Sequence, residues 1–210
     1  MTNCLLRRIA IVIGITGACA APAQAATTEV DTSMCSAPAL TQAFMGWSDA
    51  NYYALASGQT PDNFNGAGWT LSGGAKFVTA KLDDGRIGSV LDLPSGSQAV
   101  SPTLCVASDY PTARAMVRNL SGNNGGNVAF SVSYAGTSST DSPYRTSMFK
   151  STSSSVLQGA SGTWNLGQPV ALDPGTVSGW QPMRVVLTPS GSNQSEFQVY
   201  NLYLDPRARG

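Results

Sequence analysis

Val128, Phe130, Val132 and Tyr134 alternate without interruption with Ala129, Ser131 and Ser133. A period of two puts the four large apolar groups on one face and the small groups on the other, which is the pattern of a half-buried strand; a helix would scatter them around its circumference. Met183, Val185 and Leu187 repeat the pattern against Arg184, Val186 and Thr188, less cleanly because Val186 puts an apolar group on the wetter face. Shorter segments of strand character lie at 68–71, 76–81, 89–93, 113–117 and 154–158, each bounded at one end or both by Gly, Pro, Asn or Asp. Past the amino-terminal leader, no stretch of twelve residues keeps a helical spacing of apolar groups without interruption by Gly, Pro or a β-branched run. Many short strands with frequent turns predict an all-β chain, folded as an antiparallel β-sandwich or barrel.

The last strand, 197–206, begins with alternation and becomes apolar on both faces at 202–204, which predicts a central position covered on both sides. Three turn signals suit hairpins: Asp83-Asp84-Gly85, the Gly- and Asn-rich 121–126, and Pro189-Ser190-Gly191-Ser192. A Ser/Thr-rich piece at 136–141 and 151–155 reads as loops around a strand near 144–149.

Residues 1–25 have the pattern of a secretory signal peptide. Arg7 and Arg8 form the charged start, 9–15 the apolar centre, and Ala23-Gln24-Ala25 a small-x-small site with cleavage between Ala25 and Ala26. This divides the chain into a signal at 1–25, an extended arm at 26–39 and one β-sandwich domain at 40–210, and predicts a secreted, extracellular protein. The alternative is a lipid anchor at the membrane through Cys19, since Thr16-Gly17-Ala18-Cys19 resembles a lipoprotein box; Thr16 stands where that box prefers Leu, Val or Ile. No later apolar run approaches the ~20 residues of a membrane span.

Cleavage removes Cys4 and Cys19 and leaves Cys35 and Cys105, an even pair in an oxidising compartment, which predicts one disulfide. Closing a loop of that length constrains the unfolded chain by roughly 3–5 kcal/mol. A catalytic thiol or a metal site would need a histidine or further ligands, and the chain has no histidine. The leader also takes two of the twelve basic residues and none of the twelve acidic ones, so ten stand against twelve in the remainder, a charge of −2. Lys76, Lys81 and Lys150 are the lysines. That balance argues against a nucleic-acid or anionic-membrane surface. With 11% of residues charged, the surface is built largely from Ser, Thr, Asn, Gln and Gly, groups that hydrogen-bond neutral ligands.

Cys35-Ser36-Ala37-Pro38, the stretch 47–55, Gly68-Trp69-Thr70-Leu71 with 72–75, Leu93-Pro94-Ser95-Gly96-Ser97 leading to 101–106, and the closing 180–189 and 197–206 together resemble a group of secreted bacterial proteins. These look similar to the galactose-binding-like jelly rolls that carry many carbohydrate-binding modules. The resemblance implies two antiparallel sheets, with the closing strand beside the first, and carries over no activity. Many such modules close on an aliphatic-Asp-Asp-aliphatic strand that helps hold a structural calcium. Here the matching positions are Val199-Tyr200-Asn201-Leu202, so both acids are missing and calcium is disfavoured, although Asn201, Asp49 and Asp205 still offer oxygens. No other cofactor is implied.

Ser147-Met148-Phe149-Lys150 matches a Ser-x-x-Lys signature without its helical setting or companion motifs, and reads as chance. Histidine-dependent triads and zinc sites are excluded, and Asp83-Asp84-Gly85 reads as a turn rather than an acid pair. A sugar presents an apolar face ringed by hydroxyls, so its site pairs an aromatic platform with polar edges. Trp164, Tyr144 and Arg145 lie in loop-like, polar settings and are the candidate ligand-binding residues, while Trp47, Trp69 and Trp180 are expected to pack at strand edges. The leading expectation is a secreted non-catalytic sandwich binding a neutral glycan or a cell-surface component. The alternatives are a structural or surface-interaction protein without a small ligand, and a carboxylate-based glycan enzyme.

Overall fold

The computed structural model describes residues 31–122, 126–135, 149–172, 174, 179–191 and 193–206, without the side chains of 149–156 and 160. The strands, in chain order, are β1 (Leu40–Thr41), β2 (Tyr53–Leu55), β3 (Thr70–Ser72), β4 (Lys76–Lys81), β5 (Ile87–Pro94), β6 (Gln98–Val100), β7 (Leu104–Val106), β8 (Thr112–Asn119), β9 (Gly126–Ala135), β10 (Phe149–Leu157), β11 (Ala160–Ser161), β12 (Asn165–Leu166), β13 (Val170–Ala171), β14 (Gln181–Gly191) and β15 (Glu196–Asp205). They form two sheets.

In the first sheet β15 is central. Val199 pairs with Val117 of β8 and Leu91 of β5, while Leu204 pairs with Ala113 of β8 and Ala54 of β2. Thus β8 runs along one edge of β15, and β5 and β2 share the other. β4 extends β5, β1 extends β2, and β11, β12 and β13 line the far edge of β8. In the second sheet β10, β9, β14, β6 and β3 follow one another, with β7 also on β14. The ladders are antiparallel except for β11 on β8. The chain switches sheets repeatedly, between β5 and β6, β8 and β9, and β14 and β15 among others. This is the wiring of an antiparallel jelly-roll sandwich.

That wiring corrects two of the three expected hairpins. Asp83-Asp84-Gly85 does turn β4 into β5, with Gly85 at φ +87° and its N–H donated to the Leu82 carbonyl. The segment 121–126, however, joins strands of opposite sheets, as does the connection from β14 to β15. Pro189, Ser190 and Gly191 are themselves paired within β14, opposite Val128, Asn127 and Gly126. Turn residues report local backbone geometry and carry no information about which sheet receives the next strand.

Between the sheets lies a core of inward side chains, including Val128, Phe130, Val132, Met183, Val185 and Leu187 from the second sheet. Leu91, Leu93, Ala115, Val117, Phe197 and Val199 face them from the first. β9 buries every second residue as its sequence predicts. β15 is buried on both faces, as expected of the closing strand. Its register shifts between Tyr200 and Tyr203, where three steps of β15 face two of β8. Asn201 is the extra residue, in the left-handed region at φ +51° that Asn tolerates better than most residues. The bulge returns Leu202 and Leu204 to the core and turns Tyr203 outward beside Tyr200.

Cys35 and Cys105 form the expected disulfide, Cα atoms 5.6 Å apart, tying the segment before β1 to β7 of the opposite sheet. Of the expected arm, residues 31–39 are described and contain no strand. Ala25, Ala26 and Cys19 lie outside the described residues, as does the expected strand near 144–149 apart from Phe149, which opens β10. Lys150 is in that strand, and Ser147 lies outside. Among the described residues no helix is long and apolar enough to cross a membrane.

Candidate functional site

The outer face of the first sheet carries a second buried cluster, built on Phe44, Tyr53, Met116, Tyr200 and Tyr203. Phe44 meets Tyr53 and Tyr203 edge-on, with ring centroids 5.0 and 5.3 Å apart. Polar groups are woven into this layer. Tyr53 donates its phenol to Asp49 at 2.6 Å, and Arg114 is ion-paired with the same carboxylate. Tyr200 donates to Asp83 of the β4–β5 turn. Burial, and then the hydrogen bond to Asp83, push the Tyr200 phenol far above its ordinary value, so it remains a protonated donor.

One residue row further along the sheet, four side chains link neighbouring strands. Arg118 of β8 donates to Gln198 of β15, Gln198 donates to Asp92 of β5 at 3.1 Å, and Lys76 of β4 lies 3.8 Å from the same carboxylate. Direct pairing of Arg118 with Gln198, Gln198 with Asp92 and Asp92 with Lys76 makes this row possible. The guanidinium of Arg118 lies 4.5 Å from the centre of the Trp164 ring, and its Nε is enclosed without an acceptor among the described residues. Burial pulls the Arg118 pKa down, against the opposing pull of Tyr200 and Asp92.

These elements enclose an open trough of about 510 Å³, lined chiefly by Trp47, Lys81, Asp83, Arg118, Thr163 and Trp164. Trp164 is half-buried: its indole N–H donates to the Lys81 carbonyl at 2.8 Å, and its ring meets Tyr200 edge-on at 4.6 Å. It therefore forms a fixed wall. Trp47 is 41% exposed and donates its N–H to Asp83 Oδ2 at 3.3 Å. An aromatic wall, an exposed tryptophan, a guanidinium, a carboxylate and a hydroxyl can together stack on an apolar ring face and hydrogen-bond its substituents.

Of the three ligand-binding residues expected from sequence, Trp164 is in the trough, while Tyr144 and Arg145 lie outside the described residues. Trp69 and Trp180 pack as expected: Trp69 is buried against Phe64 and donates to the Ser57 carbonyl, and Trp180 is half-buried near Tyr110. Trp47 does not. It ends a short 3₁₀ turn, Met45–Trp47, after which Ser48 enters the left-handed region at φ +60°. Phe44, just before the turn, is buried in the outer-face cluster. The sequence reading also missed Lys81, Asp83, Arg118 and Thr163. The available signal was the β8 alternation, which puts Arg114, Met116 and Arg118 on the face opposite Ala113, Ala115 and Val117.

The oxygens considered for calcium are engaged in separate contacts. Asp49 holds Tyr53, Arg114 and the Asn51 N–H; Asp205 accepts from Thr112 Oγ1 at 3.1 Å; Asn201 exchanges hydrogen bonds with Asp62. Among the described residues no three acidic, cysteine or histidine side chains are grouped as a metal site.

No protein-family model and no curated protein matches the chain. Several solved structures are similar to it in fold. The CBM22-1 xylan-binding domain of Xyn10C from Paenibacillus barcinonensis has 11% identity, covering 66% of this chain and 85% of that one at a TM-score of 0.40. The family 11 carbohydrate-binding module of the cellulosomal cellulase Lic26A-Cel5E of Clostridium thermocellum has 10% identity, covering 81% and 96% at 0.36. The Spr0440 glycoside hydrolase domain, Endo-D, from Streptococcus pneumoniae R6 has 13% identity, covering 66% and 21% at 0.33.

Proposed function

We propose that the protein is an exported, non-catalytic, glycan-binding β-sandwich whose sugar site is the trough between Trp47 and Trp164. One observation carries this reading: Trp47, 41% exposed, shares an open trough with a second, fixed indole and with Lys81, Asp83, Arg118 and Thr163. An exposed indole makes contact with water unless a ring covers it, and a pyranose has the shape and the apolar face to do so while its hydroxyls reach the trough edges. Export rests on the leader at 1–25, and the disulfide fits an oxidising destination.

A single preparation tests the proposal. Protein recovered from the culture medium is expected to begin at Ala26 by mass spectrometry and to bind a restricted set of ligands on a glycan array. A chain lipidated at Cys19 would overturn free secretion. An array on which no glycan binds would overturn the sugar site.

A further inference from the structure

We infer that the sugar unit held in this trough carries a carboxylate, so that the ligand is a uronate-containing glycan; this rests on the trough being a glycan site. The overall composition predicts a neutral ligand, but the hydrogen-bonding groups around the trough are out of balance locally. Asp83 and the Lys81 carbonyl are each already engaged. Asp83 receives the Tyr200 phenol on Oδ1 and the Trp47 N–H on Oδ2, and the Lys81 carbonyl receives the Trp164 N–H. Both indole donors are spent in the same contacts.

The donors are in surplus. Arg118 has five N–H donors and, among the described residues, uses one, toward the neutral amide oxygen of Gln198. Its nearest linked carboxylate, Asp92, is reached only through Gln198 and is already paired with Lys76. The half-buried guanidinium thus has no direct anionic partner among the described residues. Stacking on Trp164 compensates that charge only in part.

A carboxylate matches a guanidinium's forked donors, whereas a hydroxyl leaves the charge uncompensated. A second recess, which shares Trp47 and Asp83 with the trough, holds Asp62 and Asp84 around Arg86. Its excess of negative charge would direct an incoming anion toward Arg118.

The test is calorimetric titration of the purified protein with oligomers of galacturonate, glucuronate and mannuronate, each beside its carboxyl-reduced, neutral counterpart. At least one acidic oligomer is expected to bind about tenfold or more tightly than its reduced form, an advantage that shrinks as salt is added. Arg118→Gln should remove most of that advantage, and Arg118→Lys, which keeps the charge and the packing stem but not the fork, should retain part of it and stays informative even where Arg118→Gln impairs folding. Reduced oligomers that bind as tightly as the acidic ones would overturn the inference and leave the glycan site standing. No binding by any oligomer, acidic or neutral, together with a blank array, would overturn both.

Discussion

The two buried layers of this molecule, one between the sheets and one on the outer face of the first sheet, are built by different rules. The inner layer is made of aliphatic and aromatic side chains whose order follows the strand period. The outer layer is aromatic, and three of its polar side chains are tied to carboxylates, Tyr53 and Arg114 to Asp49 and Tyr200 to Asp83. Apolar burial is non-directional and fixes where the strands lie. Hydrogen-bonded aromatics fix where individual polar groups point, which is what a binding surface requires. β15 joins the layers, with Phe197, Val199, Leu202 and Leu204 facing inward and Tyr200 and Tyr203 outward.

The comparison breaks first, and with the largest effect, in the inner layer. Phe130 is fully buried at the centre of β9, between β10 and β14. Phe130→Ala is expected to cost about 3–5 kcal/mol in urea denaturation, combining lost transfer energy with a cavity the flanking strands cannot close. A loss under about 1 kcal/mol would mean that the inter-sheet layer is not the main source of stability.

The outer layer should respond to pH in a way the inner one cannot. The Asp49 carboxyl is held below its ordinary value: burial works to raise it, and the hydrogen bonds from Tyr53 and the Asn51 N–H, with the charge of Arg114, outweigh burial. A carboxyl lowered on folding contributes stability that is fully present above its unfolded pKa, about 3.9, and is lost as pH falls through the folded value. Asp49→Asn is therefore expected to cost about 1.5–3 kcal/mol at neutral pH, with the gap to wild type closing as the pH drops below about 4. Denaturant titrations at several pH values check this. A gap independent of pH would assign the effect to packing and not to charge.

The inner layer was also the more legible in the sequence, and for a physical reason. Where one face of a strand is dry and the other wet, the chain must alternate, and β9 and β14 display their registers directly. β1, β2, β3, β6, β7, β11, β12 and β13 span two or three residues each, too few to show a period. The trough is drawn from residues near 47, 81–83, 118 and 163–164, and no local signal records that they converge. Asp83 was readable as a turn residue and is one, but its bond to Tyr200 spans 117 residues. Trp47 was misread because a tryptophan beside a strand usually packs, and no local signal records that the 3₁₀ turn after buried Phe44 leaves this one on the surface.

Trp47 gives the sharpest version of the comparison because its expected effect on stability is the smallest. The residue is 41% exposed, and its hydrogen bond to Asp83, at 3.3 Å and on the surface, is long. Trp47→Ala should therefore change stability by no more than about 0.5 kcal/mol, an order of magnitude below Phe130→Ala. Asp83 keeps its bond to Tyr200 in the variant, so the trough retains its carboxylate and loses chiefly the indole face. Any fall in glycan affinity can then be assigned to lost stacking, and about tenfold or more is expected for removal of an aromatic platform. Both quantities can be measured on one sample, by thermal melting and by calorimetric titration with an array-positive glycan. A variant that melts several degrees lower and binds unchanged would make Trp47 part of the outer packing, leaving Trp164 as the trough's sole binding indole; stability retained with affinity lost would show that the outer layer is shaped for a ligand.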